Sequence, residues 1–259
     1  MNNTYKLGLR GKITLSLGLM IFLSLLATSL TSYYQSQNVA KRKVMELEQS
    51  KLSLLKHGIE GALNEHRNIL MSLQAVPAVQ GIIRARANNG IDPISEDTLE
   101  IWLDRLSTIF TAFLLNHPQY LQLRYIDIDG NELVRVEKNG DVKVVSGDAL
   151  QNKSGSLYVT ETLKLKAGDI YHSDVNLNRE HGAIQVPHVP VLRMATPVHS
   201  VDKHLAGLIV MNLATERLFS GVHSKVNEVQ RYIVDNRGYF IKYTGLRGSV
   251  WVNAELNRV

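Results

Sequence analysis

Tyr120-Leu-Gln-Leu-Arg-Tyr-Ile-Asp-Ile-Asp-Gly-Asn-Glu-Leu-Val-Arg-Val136 is the stretch that decides the fold class. Leu121, Leu123 and Tyr125 alternate with Gln122, Arg124 and Ile126, a period of two that belongs to a strand rather than a helix. Asp127-Ile128-Asp129-Gly130-Asn131 then supplies residues that close turns, and Leu133-Val134-Arg135-Val136 returns as a second strand. The segment predicts a β-hairpin. Asn139-Gly140-Asp141 makes a second turn into Val142 to Val145. Further strands are expected at Ser156 to Thr160, Gly168 to Val175, Val191 to His199 and Leu205 to Leu213, the last two joined by a short polar turn at Val201 to His204. Five or more strands after a helical N-terminal half imply an α+β fold, an antiparallel sheet with helices to one side.

Upstream of the hairpin the period changes. Leu99 to Asn116 carries Ile101, Leu106, Ile109, Phe110, Phe113 and Leu114 at helical spacing, and Asn88-Asn89-Gly90 with Pro93 separates it from an earlier helical stretch. From about Gln37 to Ala85, Val44, Leu47, Leu55, Ile59, Ala62, Leu63, Ile69, Leu70 and Leu73 recur every three or four residues, and no proline appears until Pro77. This is a stalk, one long helix or two nearly continuous ones. Its apolar stripe packs on a second helix in a homodimer or on its own domain, at different heights for each.

Ile13 to Tyr33 contains no charged residue. As a helix its 21 residues reach about 31 Å, enough to cross a hydrocarbon core of roughly 30 Å. Lys6, Arg10 and Lys12 precede it, which orients residues 1–12 to the cytoplasm and the rest outward, although Lys41, Arg42 and Lys43 place equal charge on the far side. A cleaved signal peptide ending near Ala27-Thr28-Ser29 is the alternative, but the apolar run exceeds a signal core of about 7–15 residues. The expectation is a single-pass membrane protein with residues 1–12 in the cytoplasm and most of the remaining chain outside it.

The 29 basic and 24 acidic residues of the 259-residue chain leave a net charge of +5. The six cations flanking the span account for more than that surplus, and the remainder carries 23 basic against 24 acidic side chains. No basic surface is left to neutralise phosphates, so nucleic acid is excluded as a partner. The chain has no cysteine, which removes disulfides, thiolate metal sites and a cysteine nucleophile.

No motif of a nucleophile elbow, zinc protease helix, phosphate loop or dinucleotide fold occurs. Asp127, Asp129 and Gly130 fall short of a calcium loop, since glycine comes fourth and the chelating glutamate is missing. The nine histidines are scattered singly. No catalytic residue, cofactor or metal site is therefore expected. Polar residues inside strands are the informative ones: Arg124 shares a face with Gln122 and Ile126, Arg193 with Val191 and Ala195, and Asn212 with Leu208 and Val210. A guanidinium on a covered sheet face must be paired, with a ligand carboxylate or phosphate, with a protein carboxylate, or with water.

Glu216 to Val229 again reads as helix and leads into Arg231-Tyr-Ile-Val-Asp-Asn-Arg-Gly-Tyr-Phe-Ile241, which echoes Arg124-Tyr-Ile-Asp-Ile-Asp-Gly130 107 positions earlier. It suggests the start of a second unit.

Taken together, Tyr120-Leu-Gln-Leu-Arg-Tyr-Ile-Asp, Gly130-Asn-Glu-Leu-Val-Arg-Val, Leu150-Gln-Asn-Lys-Ser, Ile170-Tyr-His-Ser-Asp-Val-Asn-Leu-Asn-Arg-Glu-His-Gly and Val186-Pro-His-Val-Pro-Val-Leu-Arg-Met-Ala-Thr-Pro-Val resemble the extracytoplasmic double Cache sensor domain of bacterial histidine kinases and diguanylate cyclases. The resemblance covers about residues 40 to 240. It implies a long N-terminal helix and two PAS-like modules, the membrane-distal one, here residues 86–214, binding a small anionic or zwitterionic molecule on its sheet. Residues 215–229 would be a connecting helix and 230–259 an incomplete second module, with no second span and no kinase or cyclase output. By the same resemblance Arg124, Tyr125, Tyr171, Ser173, Arg193, Thr196 and Asn212 lie near the ligand, while Asn176 to Glu180 either joins them or caps the sheet. The expected role is a non-enzymatic sensor of a two-component system. The rivals are a ligand-free scaffold, which a closed apolar interior with both arginines ion-paired would favour, and an enzyme, which a cleft holding two carboxylates near a histidine would favour.

Overall fold

The computed structural model describes residues 8–180, 183–184, 190–218, 232–234, 240–245 and 248–250. They fall in two compact units, divided between His57 and Gly58.

Helix α1 (Leu9–Gln74) contains the apolar run read from the sequence, and among the described residues it is the one helix long and apolar enough to cross a membrane. Within the first unit most of its large apolar side chains are exposed, including Val44 and Leu47 of the expected stripe, while Leu55 is half-buried. The last turns of α1, in the second unit, behave differently: Leu70 and Leu73 are buried and Leu63 and Ile69 pack against the same core. Within the second unit the stripe is thus covered by its own domain. The stalk breaks at Ala75-Val76, because Pro77 lacks an amide hydrogen and forces an extended conformation on Val76 (φ −65°, ψ 142°). Helix α2 (Pro77–Ala87) starts on that proline, and α3 (Leu99–Asn116) starts where the Thr98 hydroxyl accepts from the Ile101 amide.

Strands β1 (Tyr120–Asp127), β2 (Glu132–Asn139) and β3 (Asp141–Val145) form the predicted hairpins. A short helix α4 (Leu157–Thr162), the two-residue strands β4 (Tyr171–His172) and β5 (Asn176–Leu177), and the long strands β8 (Pro190–His199) and β9 (Leu205–Ala214) complete the module, with small strands β6 (Arg179–Glu180) and β7 (Ala183–Ile184) between. The order is β3-β2-β1-β9-β8-β4, with β5 also on β8, and the pairings are antiparallel. Helix α5 (Thr215–Leu218) begins the expected connecting helix, whose remainder to Val229 lies outside the described residues. Strands β10 (Tyr232–Val234), β11 (Phe240–Gly245) and β12 (Gly248–Val250) form a separate antiparallel sheet, so the two strands of the echoed segment pair antiparallel as β1 and β2 do.

Two expectations are corrected. Ser156 to Thr160 is not a strand: the chain turns at Lys153 to Ser156, the Thr160 amide donates to the Ser156 carbonyl, and Val159 and Thr162 are buried at a spacing of three. Gly168 to Val175 contributes only the two residues of β4, since Gly168 has φ +88° and the Asp169 amide turns back to the Lys166 carbonyl.

The period of two sorts the large sheet into two faces. Leu123 and Tyr125 of β1, Val134 and Val136 of β2, Met194 of β8, and Ile209 and Met211 of β9 pack against α1, α2 and α3 through Leu70, Ile82, Leu106 and Phe110. The opposite face carries a small apolar cluster of Ile126, Ala195, Leu208 and Val210 under Val159 of α4. Where α1, α3 and β1 meet, His66 is 8% exposed and shares a 2.7 Å hydrogen bond with the Tyr120 hydroxyl. Burial pushes that hydroxyl up to about 12 and lowers the His66 imidazole, with Glu65 opposing the latter shift.

His66 therefore links folding to pH. An unfolded histidine takes up its proton near pH 6.5, before the folded one does, so the contribution is intact above that value and is lost as pH falls through the lower folded value. The full chain should melt at a lower temperature at pH 5 than at pH 7.5. His66→Phe should flatten that slope; an unchanged slope would assign the pH response to other groups.

Candidate functional site

Arg124 and Arg193 stand on the sheet face away from the long helices. The register places Asn212 between them in the ladder, opposite Gln122 on one side and Arg193 on the other. Arg135 lies across from Arg124, and Glu137 across from Gln122. A register shift between Tyr125 and Ile126 brings Glu132 opposite Ile126, onto this same face.

The result is a buried polar ladder. The Arg124 Nε lies 3.1 Å from Glu132 Oε1, and Arg135 reaches Glu132 at 3.6 Å and Glu137 at 2.5 Å. The Gln151 amide donates to the second Glu132 oxygen at 3.0 Å, Gln122 Nε2 donates to Glu137 at 3.1 Å, and Asn212 Nδ2 donates to Gln122 at 3.0 Å. Arg124, Glu132 and Arg135 are each under 5% exposed. Two cations balance two anions within the ladder, as low-dielectric surroundings demand.

Beside it lies a cleft of about 380 Å³, a size suited to a small molecule. Its floor is Arg124 from β1 and Arg193 from β8. One wall is Lys153, Ser156, Leu157 and Tyr158, from the turn into α4 and its first residues; the other is Tyr171, Ser173 and Asn176 along β4 and β5. The walls are fixed to the floor. Arg124 Nη1 donates to the Tyr158 hydroxyl at 3.0 Å, and Ser173 exchanges hydrogen bonds with the Arg193 backbone, its amide to the carbonyl and its hydroxyl from the amide, both 2.9 Å. Arg193 Nη2 also lies 3.5 Å from Asn178 Oδ1. The hairpin turn holds the α4 wall: the Lys153 amide donates to the Gly130 carbonyl at 2.7 Å, and Asn152 Nδ2 donates to the Asp129 carbonyl and Asn131 Oδ1. Gly130, at φ +85°, leaves room for this contact, since a Cβ there would sit 2.5 Å from the Ser154 nitrogen.

Three cations line the cleft, and among the described lining residues none is acidic. Burial raises the Tyr171 hydroxyl, with Asp174 adding to the shift and Arg193 opposing it, so Tyr171 is a neutral donor at pH 7. The arrangement can bind an anion by charge and by hydroxyl and amide hydrogen bonds.

The structure brings together four of the seven residues expected near a ligand: Arg124, Tyr171, Ser173 and Arg193. Asn212 shares their face and is spent on Gln122, at 1% exposure. Tyr125 and Thr196 point to the helix side instead, Tyr125 into the main core and Thr196 onto the Asp169 carbonyl at 3.0 Å. Asn176, from the segment expected either to join the ligand residues or to cap the sheet, lines the cleft, and so do Lys153, Ser156, Leu157 and Tyr158, which the sequence does not mark as site residues. The turn Lys153-Ser-Gly-Ser followed by Val159 and Thr162 three apart is the signal that places these last four on a helix start. The Asp127 turn proves structural: its carboxylate accepts from the Asp129 and Asn131 amides and pairs with Arg86 at 3.0 Å.

The family model described as the sensor domain of bacterial histidine kinases matches residues 100–245, more than half of the chain. The chain belongs to the bacterial histidine kinase sensor domain family. Solved structures similar to this sensor domain are themselves sensory. A domain of a sensory box/GGDEF family protein from Vibrio parahaemolyticus has a TM-score of 0.61 at 22% identity, covering 74% of this chain and 68% of that one. The extracellular domain of the histidine kinase vpHK1S-Z8 gives 0.59 at 22%, covering 74% and 64%, so this sensor chain spans under two thirds of it. The sensor domain of the V. cholerae histidine kinase DctB gives 0.57 at 14%, covering 84% and 75%. At these identities the likeness is one of fold. No curated protein sequence matches the chain significantly.

Proposed function

We propose that this sensor domain binds a small anion in the cleft between α4, β4 and the sheet, and signals without itself catalysing a reaction. The observation that carries this reading is the cleft lining: Arg124, Lys153 and Arg193 with four hydroxyls and no carboxylate among the described lining residues. Arg124 is paired with Glu132 inside the ladder. A scaffold without ligand gains support from that internal ion pair, yet it calls for a closed interior, whereas this face opens into a cleft. In the same proposal α1 anchors the domain in a bacterial inner membrane with the cleft on the periplasmic side, and the exposed stripe through Val44 and Leu47 pairs with a second copy.

Calorimetry of the full chain in detergent against a panel of small carboxylates and phosphates tests the cleft. At least one should bind, and Arg193→Ala should weaken it roughly 10- to 100-fold, the effect of a lost hydrogen bond to a charged group. Silence across the panel, or a bound anion indifferent to Arg193→Ala, would remove the cleft as the site.

A further inference from the structure

The two residues of β4 look in opposite directions. Tyr171 lines the ligand cleft, and His172 lines a second groove of about 420 Å³ whose other residues, Glu60, Leu63, Asn64 and Arg67, all belong to α1. The chain around β4 continues this alternation. On the α1 side, Arg67 Nη2 donates to the Gly168 carbonyl at 3.1 Å. The Asp169 carbonyl accepts from Thr196, whose hydroxyl also lies 3.5 Å from Gln74 Oε1, and Gln74 Nε2 in turn donates to the Pro197 carbonyl at 2.9 Å. On the cleft side, Ser173 is bound twice to the backbone of Arg193, the floor cation.

Gly168 to Ser173 is thus attached alternately to the helix and to the cleft. With β5 it is also among the least restrained parts of the sheet, since β4 is two residues long and closes the sheet's edge with β8 as its neighbour. A strand with so few ladder bonds shifts at lower free energy than β1 or β9, which are paired on both sides. A packed helix responds to such a shift by moving as a body, because cores do not deform continuously.

We propose that β4 is the lever of this sensor: closure of the cleft on its occupant displaces Tyr171 and Ser173, and Arg67 and His172 pass the displacement to the Gly58–Gln74 portion of α1. Both members of that contact belong to the second unit. The inference rests on the cleft being the ligand site, but it can be tested with a surrogate occupant. The chain has no cysteine, so one introduced thiol is a unique handle. Asn176→Cys, on the cleft wall and outside β4, is labelled with the anionic reagent 2-sulfonatoethyl methanethiosulfonate in the full chain in detergent, and amide hydrogen exchange is followed before and after.

Labelling should change exchange over residues 60–74 roughly threefold or more, and the change should vanish in the Arg67→Ala/His172→Ala background. Val144→Cys on β3, at the opposite sheet edge and 49% exposed, is the control and should leave α1 unaffected when labelled. An α1 that ignores the Asn176 label, a response that survives in the double variant, or an equal response to the Val144 label would each overturn the lever. Because the label occupies the cleft whether or not any natural anion does, failure here and failure of the calorimetry are separate results.

Discussion

Glu132→Ala should cost the protein about 3–5 kcal/mol, the range for removing one partner from a buried ion pair. Glu132 is the anion between two guanidiniums, each 3% exposed, and its loss takes from Arg124 the buried carboxylate 3.1 Å from its Nε. Arg135 keeps Glu137, so the penalty falls on Arg124 and on the Gln151 amide, which loses its acceptor. Against a domain stability of about 5–15 kcal/mol this is a large fraction. Glu132→Gln, which restores an acceptor but not the charge, should fall between wild type and Glu132→Ala. The double variant Glu132→Leu/Arg124→Leu should be more stable than Glu132→Ala, because it removes the buried guanidinium together with its carboxylate. Thermal unfolding of the three variants at pH 7 reads the order; a Glu132→Ala protein as stable as wild type would mean the ladder contributes nothing to folding.

Glu132 also shows where the sequence was and was not legible. Alternation alone separated the two sheet faces along β1, β8 and β9, because Leu123, Tyr125, Ile209 and Met211 are buried under helices while Arg124, Arg193 and Asn212 interrupt the apolar run on the other side. Simple alternation from Val134 and Val136 would have turned Glu132 toward the helices. The register shift beside Tyr125 reverses it, and a bulge leaves no mark in the period of two. The resemblance places Tyr125 and Thr196 near the ligand, but each lies one position from a cleft-face residue and so faces the other way. The α4 wall was hidden for a different reason. A helix of six residues offers too few turns for its period to stand out, and Tyr158 and Val159 suit a strand as well. Local turn chemistry, the Asn152 side chain bonding the Ser154 amide, fixes that segment, and only the folded hairpin shows what it docks against.

Gly207→Val is the substitution expected to rival Glu132→Ala. Gly207 lies in β9 with β1 on one side and β8 on the other, facing Asp127 and Val198. Its φ is +152°, and a Cβ built there would lie 2.3 Å from the Ile126 carbonyl oxygen and 3.2 Å from the Asp127 Cα, contacts with backbone that no rotamer relieves. A side chain must either force β1 away in the middle of the sheet or flip the local backbone, and the two costs, backbone strain and overpacking, together come to about 3 kcal/mol or more. Gly207→Ala should lie between wild type and Gly207→Val in thermal unfolding, and a Gly207→Val protein within about 0.5 kcal/mol of wild type, the range of an inert surface change, would show that the strand is free to relax there. The site is at stake as well. The ladder between β8 and β9 changes register just past Val198, where Gly207 pairs, and a slip of one residue would exchange the two faces of a strand. Asn212 would leave the ladder that holds Gln122 and Glu137, so a Gly207→Val protein that still folds should bind the anion more weakly than its melting temperature alone predicts.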